Sequence, residues 1–259
     1  MVRVPLPDSG RRPSYRSEAL VGELLHRKGH PVAHRELVEI EGVLCSVARL
    51  LDGIPVEYGW RWTEDFGSQL ASMLYDLHGL PASSWGPLAD EDHRLQGIGA
   101  DSTQGIVDRW FHASVWPFNN TRLEDHPLID LAPDLLPDIA MLERRIREAA
   151  QGSAVLVHSD LHREHLLRGD RGTLAGLLDF GDTFVGCAAW DFALLHWYYS
   201  EPDVGLVAGA YPGGTQLSYN GRLLAVAVGL YKLAKDPTQG DIAAKIRRRI
   251  EALSTTLRE

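Results

Sequence analysis

Cysteine is scarce in this chain: Cys45 and Cys187 are the only two, far apart and in no C-x-x-C spacing. That excludes a disulfide scaffold or a thiolate zinc site as the organising feature. No run reaches the roughly 18 uncharged apolar residues that a membrane-spanning helix needs. The opening "MVRVPLPDSGRRPSY" lacks the apolar core of a secretory signal, so a cytoplasmic protein without membrane partners is expected. Basic charge is also short: 26 Lys and Arg stand against 35 Asp and Glu, for a net charge of −9. A nucleic-acid partner would require a basic face and is not expected, whereas a cationic small molecule is permitted. The dense basic run "KIRRRI" near the C-terminus has the spacing of the solvated face of a last helix. Missing too are G-x-G-x-x-G and the P-loop G-x-x-x-x-G-K-[ST].

What is present is ordinary globular composition, 44% hydrophobic and 24% charged. A length of 259 residues suits one large domain, or one with a smaller lobe attached. "MVRVP" alternates like a strand, and "SYRSEALVGELLHRKG" reads as a helix opening at Ser14 and stopping at Gly29. "RELVEIEGVLCSVARLLDG" predicts two strands joined around Glu41-Gly42. From about residue 63 the pattern turns helical. "TEDFGSQLASMLYDLHGLP" starts on a Thr cap and presents Phe66, Leu70, Met73, Leu74 and Leu77 on one side. Residues 82–106 read as a long connection, and "TQGIVDRWFHASVW" and "DLLPDIAMLERRIREAAQG" as helices. Short apolar runs ("AVLVH", "HLLRG", "LAGLLDF") then predict strands among loops, before a helical C-terminal half.

Chemistry concentrates in "VHSDLHREHLL" and "GLLDFGDT". Asp160 follows an apolar strand, His165 comes five residues later, and Asp179 closes another apolar strand fourteen further on. Phosphoryl transfer asks for such a set: one carboxylate to orient and deprotonate the attacking hydroxyl, and further ligands for a magnesium ion on the phosphates. Positioning these few charges is most of that catalysis.

"HSDLHREHLL" followed by "LAGLLDFGDTFVGCAAWDFALL" resembles the aminoglycoside and macrolide phosphotransferases, whose fold is protein-kinase-like. Their catalytic loop reads H-x-D-x-x-x-x-N and their metal strand ends in D-F-G or a variant. Here His165 stands where most members carry Asn, as in the "H-G-D-L-H-P-G-H" of the macrolide branch, and Ser159 replaces the usual Gly. The resemblance implies a two-lobed α/β (α+β) fold, with a shortened N-terminal β lobe (residues 1–52) and a large helical lobe (53–259). It implies Asp160 as catalytic base, His165 and Asp179 as Mg2+ ligands, and ATP or GTP as co-substrate. Imidazole is the less natural magnesium ligand, because that hard cation prefers oxygen. His158 and Asp191 would brace the loop, with Asp182 as a supporting carboxylate. Arg3 would face the phosphates in a strand-to-helix ion pair with Glu18, and the backbone of Arg49, Leu50 and Leu51 would form the hinge against adenine. If Arg3 holds that place, the glycine-rich hairpin expected ahead of it lies outside the sequence. The partner implied is a small-molecule hydroxyl acceptor, with a macrolide sugar ahead of an aminoglycoside.

Other readings compete. A pseudokinase-like protein would bind a nucleotide or small molecule without transfer. His158, His162 and His165 could instead offer three nitrogens to zinc, although the stretch is not H-E-x-x-H. Trp110, Phe111, Trp116 and Phe118 read as core ahead of a stacking surface. Asp90, Glu91 and Asp92 read as a solvated loop.

Overall fold

The computed structural model describes residues 2–3, 14–91, 93–99, 126–236, 238 and 240–258. Strand β1 (Val2–Arg3) precedes helix α1 (Tyr15–Arg27), which leads to β2 (Arg35–Ile40) and β3 (Val43–Ala48). These strands form one antiparallel sheet in the order β1-β3-β2, with Arg3 opposite Ser46 and Arg35 opposite Ala48. The hairpin turns at the expected place. Glu41 (φ 53°) and Gly42 (φ 78°) both take positive φ, the requirement of the tight turn that matches strand twist.

Helix α1 begins where the sequence suggests, but its cap is different. The Ser14 side chain makes no cap; its hydroxyl donates to the Gly181 carbonyl at 2.9 Å. The first-turn N–H groups of Arg16 and Ser17 are instead accepted by Asp90 Oδ1, at 2.7 and 3.0 Å. Asp90, read in the sequence as part of a solvated loop, is thus a helix cap supplied from 74 residues away. Asp92 lies outside the described residues.

After β4 (Ile54–Pro55) comes α2 (Glu64–His78), capped by Thr63, whose hydroxyl accepts from the Phe66 N–H at 3.1 Å. Its predicted apolar face of Phe66, Leu70, Met73, Leu74 and Leu77 is fully buried. The supposed connection after it carries three short strands: β5 (Ala82–Ser83), β6 (Gly86–Pro87) and β7 (Leu95–Gln96). Two-residue strands carry no readable alternation, which is why the sequence shows only turn residues there. The helix expected at 103–116, with Trp110, Phe111 and Trp116, falls outside the described residues, as does Phe118.

Helices α3 (Pro127–Leu131) and α4 (Leu136–Ala149) lead into β8 (Val155–Val157), β9 (Leu166–Arg168), β10 (Leu174–Leu177) and β11 (Phe184–Gly186). These strands sort into two small sheets, ordered β10-β9-β4 and β6-β11-β8. The chain continues through α5 (Ala189–Tyr198), α6 (Glu201–Ala210), α7 (Gly214–Lys235) and α8 (Gly240–Arg258). Helix α6 was not anticipated: "EPDVGLVAGA" is rich in small apolar residues and shows no polar–apolar period.

Helix α5 is the most enclosed element, with every residue from Ala189 to Trp197 buried. It lies directly on α7, where Gly221 permits the approach: a Cβ there would sit 2.6 Å from the Phe192 Cβ. The core formed by α2, α4, α5, α7 and α8 is continuous, and both cysteines are buried within the chain as free thiols. No helix among the described residues is long and apolar enough to cross a membrane.

Candidate active site

The loop after β8 is built on backbone hydrogen bonds to a buried carboxylate. Asp191, on α5, accepts the N–H of His158 through Oδ2 and the N–H of Ser159 through Oδ1, both at 2.9 Å. His78, at the end of α2, adds its Nε2 to Asp191 Oδ2 at 3.0 Å, and its Nδ1 meets the Tyr211 hydroxyl at 2.8 Å. His158 is itself fully buried, and burial holds its imidazole below the ordinary histidine range. In the neutral ring, Nδ1 accepts the Asp160 N–H at 3.2 Å and Nε2 donates to the Leu178 carbonyl at 2.9 Å. Ser159 turns the chain in the left-handed region, at φ 68°.

That turn delivers Asp160 to a half-open space. Its side chain is 31% exposed, that of Asp179 33%, and His165 lies between them at 20%. His165 Nδ1 is 2.8 Å from the Asp160 carbonyl and 3.3 Å from Asp160 Oδ2, while Nε2 is 3.8 Å from Asp179 Oδ2. A carbonyl only accepts, so Nδ1 carries a proton, and Nε2 faces Asp179. The β9–β10 pair fixes this arrangement, because Leu178 N–H donates to the His165 carbonyl at 2.8 Å just before Asp179. Asp179 takes a left-handed conformation, φ 60°, and accepts the Gly181 N–H at 3.3 Å. Asp182 ends the short 3-10 turn that follows and is half-buried.

The donor set fits a hard cation through Asp179, with His165 Nε2 as the softer second ligand. It does not fit zinc on three histidines. Both ring nitrogens of His158 are engaged in the loop, and no group of three or more metal-binding side chains occurs among the described residues.

The remaining predicted site residues are spread along the small sheet and its exit. Glu18, on α1, is buried and paired with Arg35 of β2 at 2.7 Å. Arg35 was not anticipated, since it reads only as the first residue of a strand. Arg3 is paired by its backbone to Ser46; its side chain lies outside the described residues. Arg49, Leu50 and Leu51 form the irregular segment between β3 and β4, with Leu50 74% exposed and Leu51 half-buried. Leu51 lies against the β9–β10 pair, where a Cβ on Gly176 would stand 2.7 Å from its Cδ1.

Two residues near Asp160 left no sequence signal. Tyr198 stands edge-on to His162 with ring centroids 5.0 Å apart, and its hydroxyl accepts from Lys232 Nζ at 2.7 Å. Burial pulls Lys232 down while the Asp160 carboxylate pulls it back up, and burial and the same carboxylate raise the Tyr198 hydroxyl. Neighbouring Tyr199 ties the loop down, donating to the Leu161 carbonyl at 3.1 Å.

Residues 1–223 match the family model described as the phosphotransferase enzyme family (APH). No curated protein matches the chain. Among solved structures it is similar to a thermostable mutant of aminoglycoside phosphotransferase APH(4)-Ia, at TM-score 0.67 and 14% identity, over 98% of this chain and 86% of that one. It is similar to the macrolide 2′-phosphotransferase MphH from Brachybacterium faecium, at TM-score 0.56 and 18% identity, over 96% and 83%. The gentamicin complex of APH(2″)-IIa is a third, at TM-score 0.60 and 16% identity, again over 96% and 83%. These likenesses establish the kinase-like fold expected from the catalytic-loop motif.

Proposed function

The chain belongs to the phosphotransferase enzyme family, and on that premise we propose that it moves the γ-phosphoryl group of ATP or GTP to a hydroxyl of a small molecule. The observation that carries this reading is the pair of half-open carboxylates, Asp160 and Asp179, facing one space with His165 between them. Asp160 accepts the acceptor's proton as its oxygen attacks in line, and the carbonyl contact of His165 keeps that carboxylate's loop in register. Asp179 and His165 would hold a magnesium ion, which would supply charge neutralisation to the nucleotide phosphates. Arg3 would supply the basic group on the phosphate side, with Glu18, which pairs with Arg35, behind it, and the backbone of Arg49 to Leu51 would meet the base. Residues 1–52 would thus form the nucleotide side and residues 53–259 the catalytic and acceptor side, in a cytoplasmic enzyme.

Structural neighbours crystallised with ADP or AMP-PNP and hygromycin B support a nucleotide co-substrate and a small acceptor. An antibiotic hydroxyl is the acceptor proposed, a macrolide sugar ahead of an aminoglycoside, because His162 and His165 stand where the macrolide motif carries histidines.

Calorimetry of Mg·ATP and Mg·GTP binding, with Asp179→Ala as control, is the first test. Binding lost in the variant, followed by phosphorylation in an acceptor screen that starts with macrolides, supports the proposal. Failure to bind either nucleotide overturns it and leaves a binding protein without transfer.

A further inference from the structure

The basic run "KIRRRI" does not lie wholly on a solvated face. Arg247 does, in a two-pronged pair with Asp134 at 2.7 and 2.8 Å, but Lys245 and Arg249 turn inward. Their cations stack on the Trp197 ring, 4.3 and 5.6 Å from its centroid. They also donate to the Trp197 and His196 carbonyls at the end of α5. Beside them opens a cavity of about 490 Å3 between α7, α8 and the start of α6. Arg222, Lys245, Arg248 and Arg249 line it, against a single carboxylate, Glu201.

Capping the end of α5 explains part of this cluster but not all of it. An ammonium has three donors and a guanidinium five, so the carbonyl contacts leave most of them over. Arg249 Nε is buried with no partner among the described residues, and Arg248 is exposed. Glu201 cannot neutralise them. It is already held by His196 at 3.0 Å and Arg222 at 2.7 Å, which together pull its carboxyl down to about 2. Burial, with Arg249, Lys232 and Arg248 as repelling neighbours and Asp241 as the opposing charge, draws Lys245 down to about 8, still charged at neutral pH. A protein of net charge −9 therefore keeps four mutually repelling basic side chains around one largely apolar cavity in its helical portion.

The geometry points to a binding site for a small organic anion, a phosphate monoester or carboxylate whose apolar flank rests on Tyr219 and Leu253. An oxyanion accepts from several of these donors at once, and guanidinium and ammonium groups bind it through charge-assisted hydrogen bonds. The site shares no residue with the carboxylate pair that would handle nucleotide and metal, so it stands whether or not the chain transfers phosphate. The anion has two possible sources, the acceptor itself or a separate effector.

Calorimetric titration with phenyl phosphate, with phenol as the neutral control, tests the site directly. Phenyl phosphate should bind and phenol should not. Arg248→Ala, at an exposed position, and Lys245→Met should each weaken binding about tenfold, as expected for loss of one charge-assisted contact. Unchanged melting of Arg248→Ala would show that the loss is not unfolding. Absence of phenyl phosphate binding, or equal binding by wild type and both variants, overturns the inference. Glucose 6-phosphate with Mg·ATP separates the two sources. Phosphorylation that Arg248→Ala impairs assigns the anion to the acceptor, and binding without phosphorylation that the variant weakens assigns it to an effector.

Discussion

The carboxylate of Asp191 meets His78 Nε2 at 3.0 Å while holding the backbone N–H groups of His158 and Ser159 at 2.9 Å each. Three donors from two distant stretches of chain converge on one buried acid. Asp191→Asn turns one acceptor oxygen into an amide donor facing another donor, and should cost about 1–3 kcal/mol. Asp191→Ala, which strips all three donors of their partner, should cost about 3–5 kcal/mol. Denaturant midpoints of the two variants give the ranking; an alanine variant as stable as wild type would contradict this anchoring.

The buried His158 ring gives the fold an acid-sensitive joint. Burial lowers its folded pKa below the ordinary 6.5, so the unfolded chain takes up a proton there first. Stability from this residue is therefore complete above pH 6.5 and is lost as pH falls from there towards the folded value. Burial lowers His126 and His162 as well, which adds to the same slope. Melting temperature measured between pH 5 and 8 should fall on the acid side, and His158→Gln should flatten that dependence.

Ser159 occupies left-handed backbone at φ 68°. A side chain there costs roughly 1–2 kcal/mol, which glycine avoids at a smaller entropic cost in the unfolded chain. Ser159→Gly should raise stability by up to about 1 kcal/mol with the loop geometry retained. Comparative thermal unfolding reads this directly, and a destabilised glycine variant would show that the hydroxyl does more than occupy the turn.

Asp160→Asn removes the proposed proton acceptor and keeps its shape. Turnover should drop by about 10²–10⁴, the usual range for a positioned general base. Nucleotide affinity, which depends on other groups, should change little. Steady-state rates alongside calorimetry separate the two effects, and a variant with undiminished turnover would remove Asp160 from the proposed chemistry.

The sequence makes legible what is short-range. The Thr63 cap, the apolar stripe of α2 and the Glu41-Gly42 turn depend on residues near one another in the chain, and the set of Asp160, His165 and Asp179 falls within one short stretch. What it hides is long-range. Asp90 caps α1, Arg35 meets Glu18, and His78 finds Asp191 only after the chain has folded back. Lys245 and Arg249 mislead for a related reason: a cation on an apolar stem packs on an aromatic face as readily as it points to water, and spacing does not tell which.

Asp191 grips the loop after β8 by its peptide groups and not by its side chains. Every amino acid but proline offers the same N–H, so the turn at residues 158 and 159 is held from α5 whatever side chains stand there. A chain anchored this way can exchange Ser159 for a glycine and keep both N–H contacts to Asp191. The grip leaves the loop's side chains open to variation while this part of its outline stays constant, and it places that constancy in a buried helix.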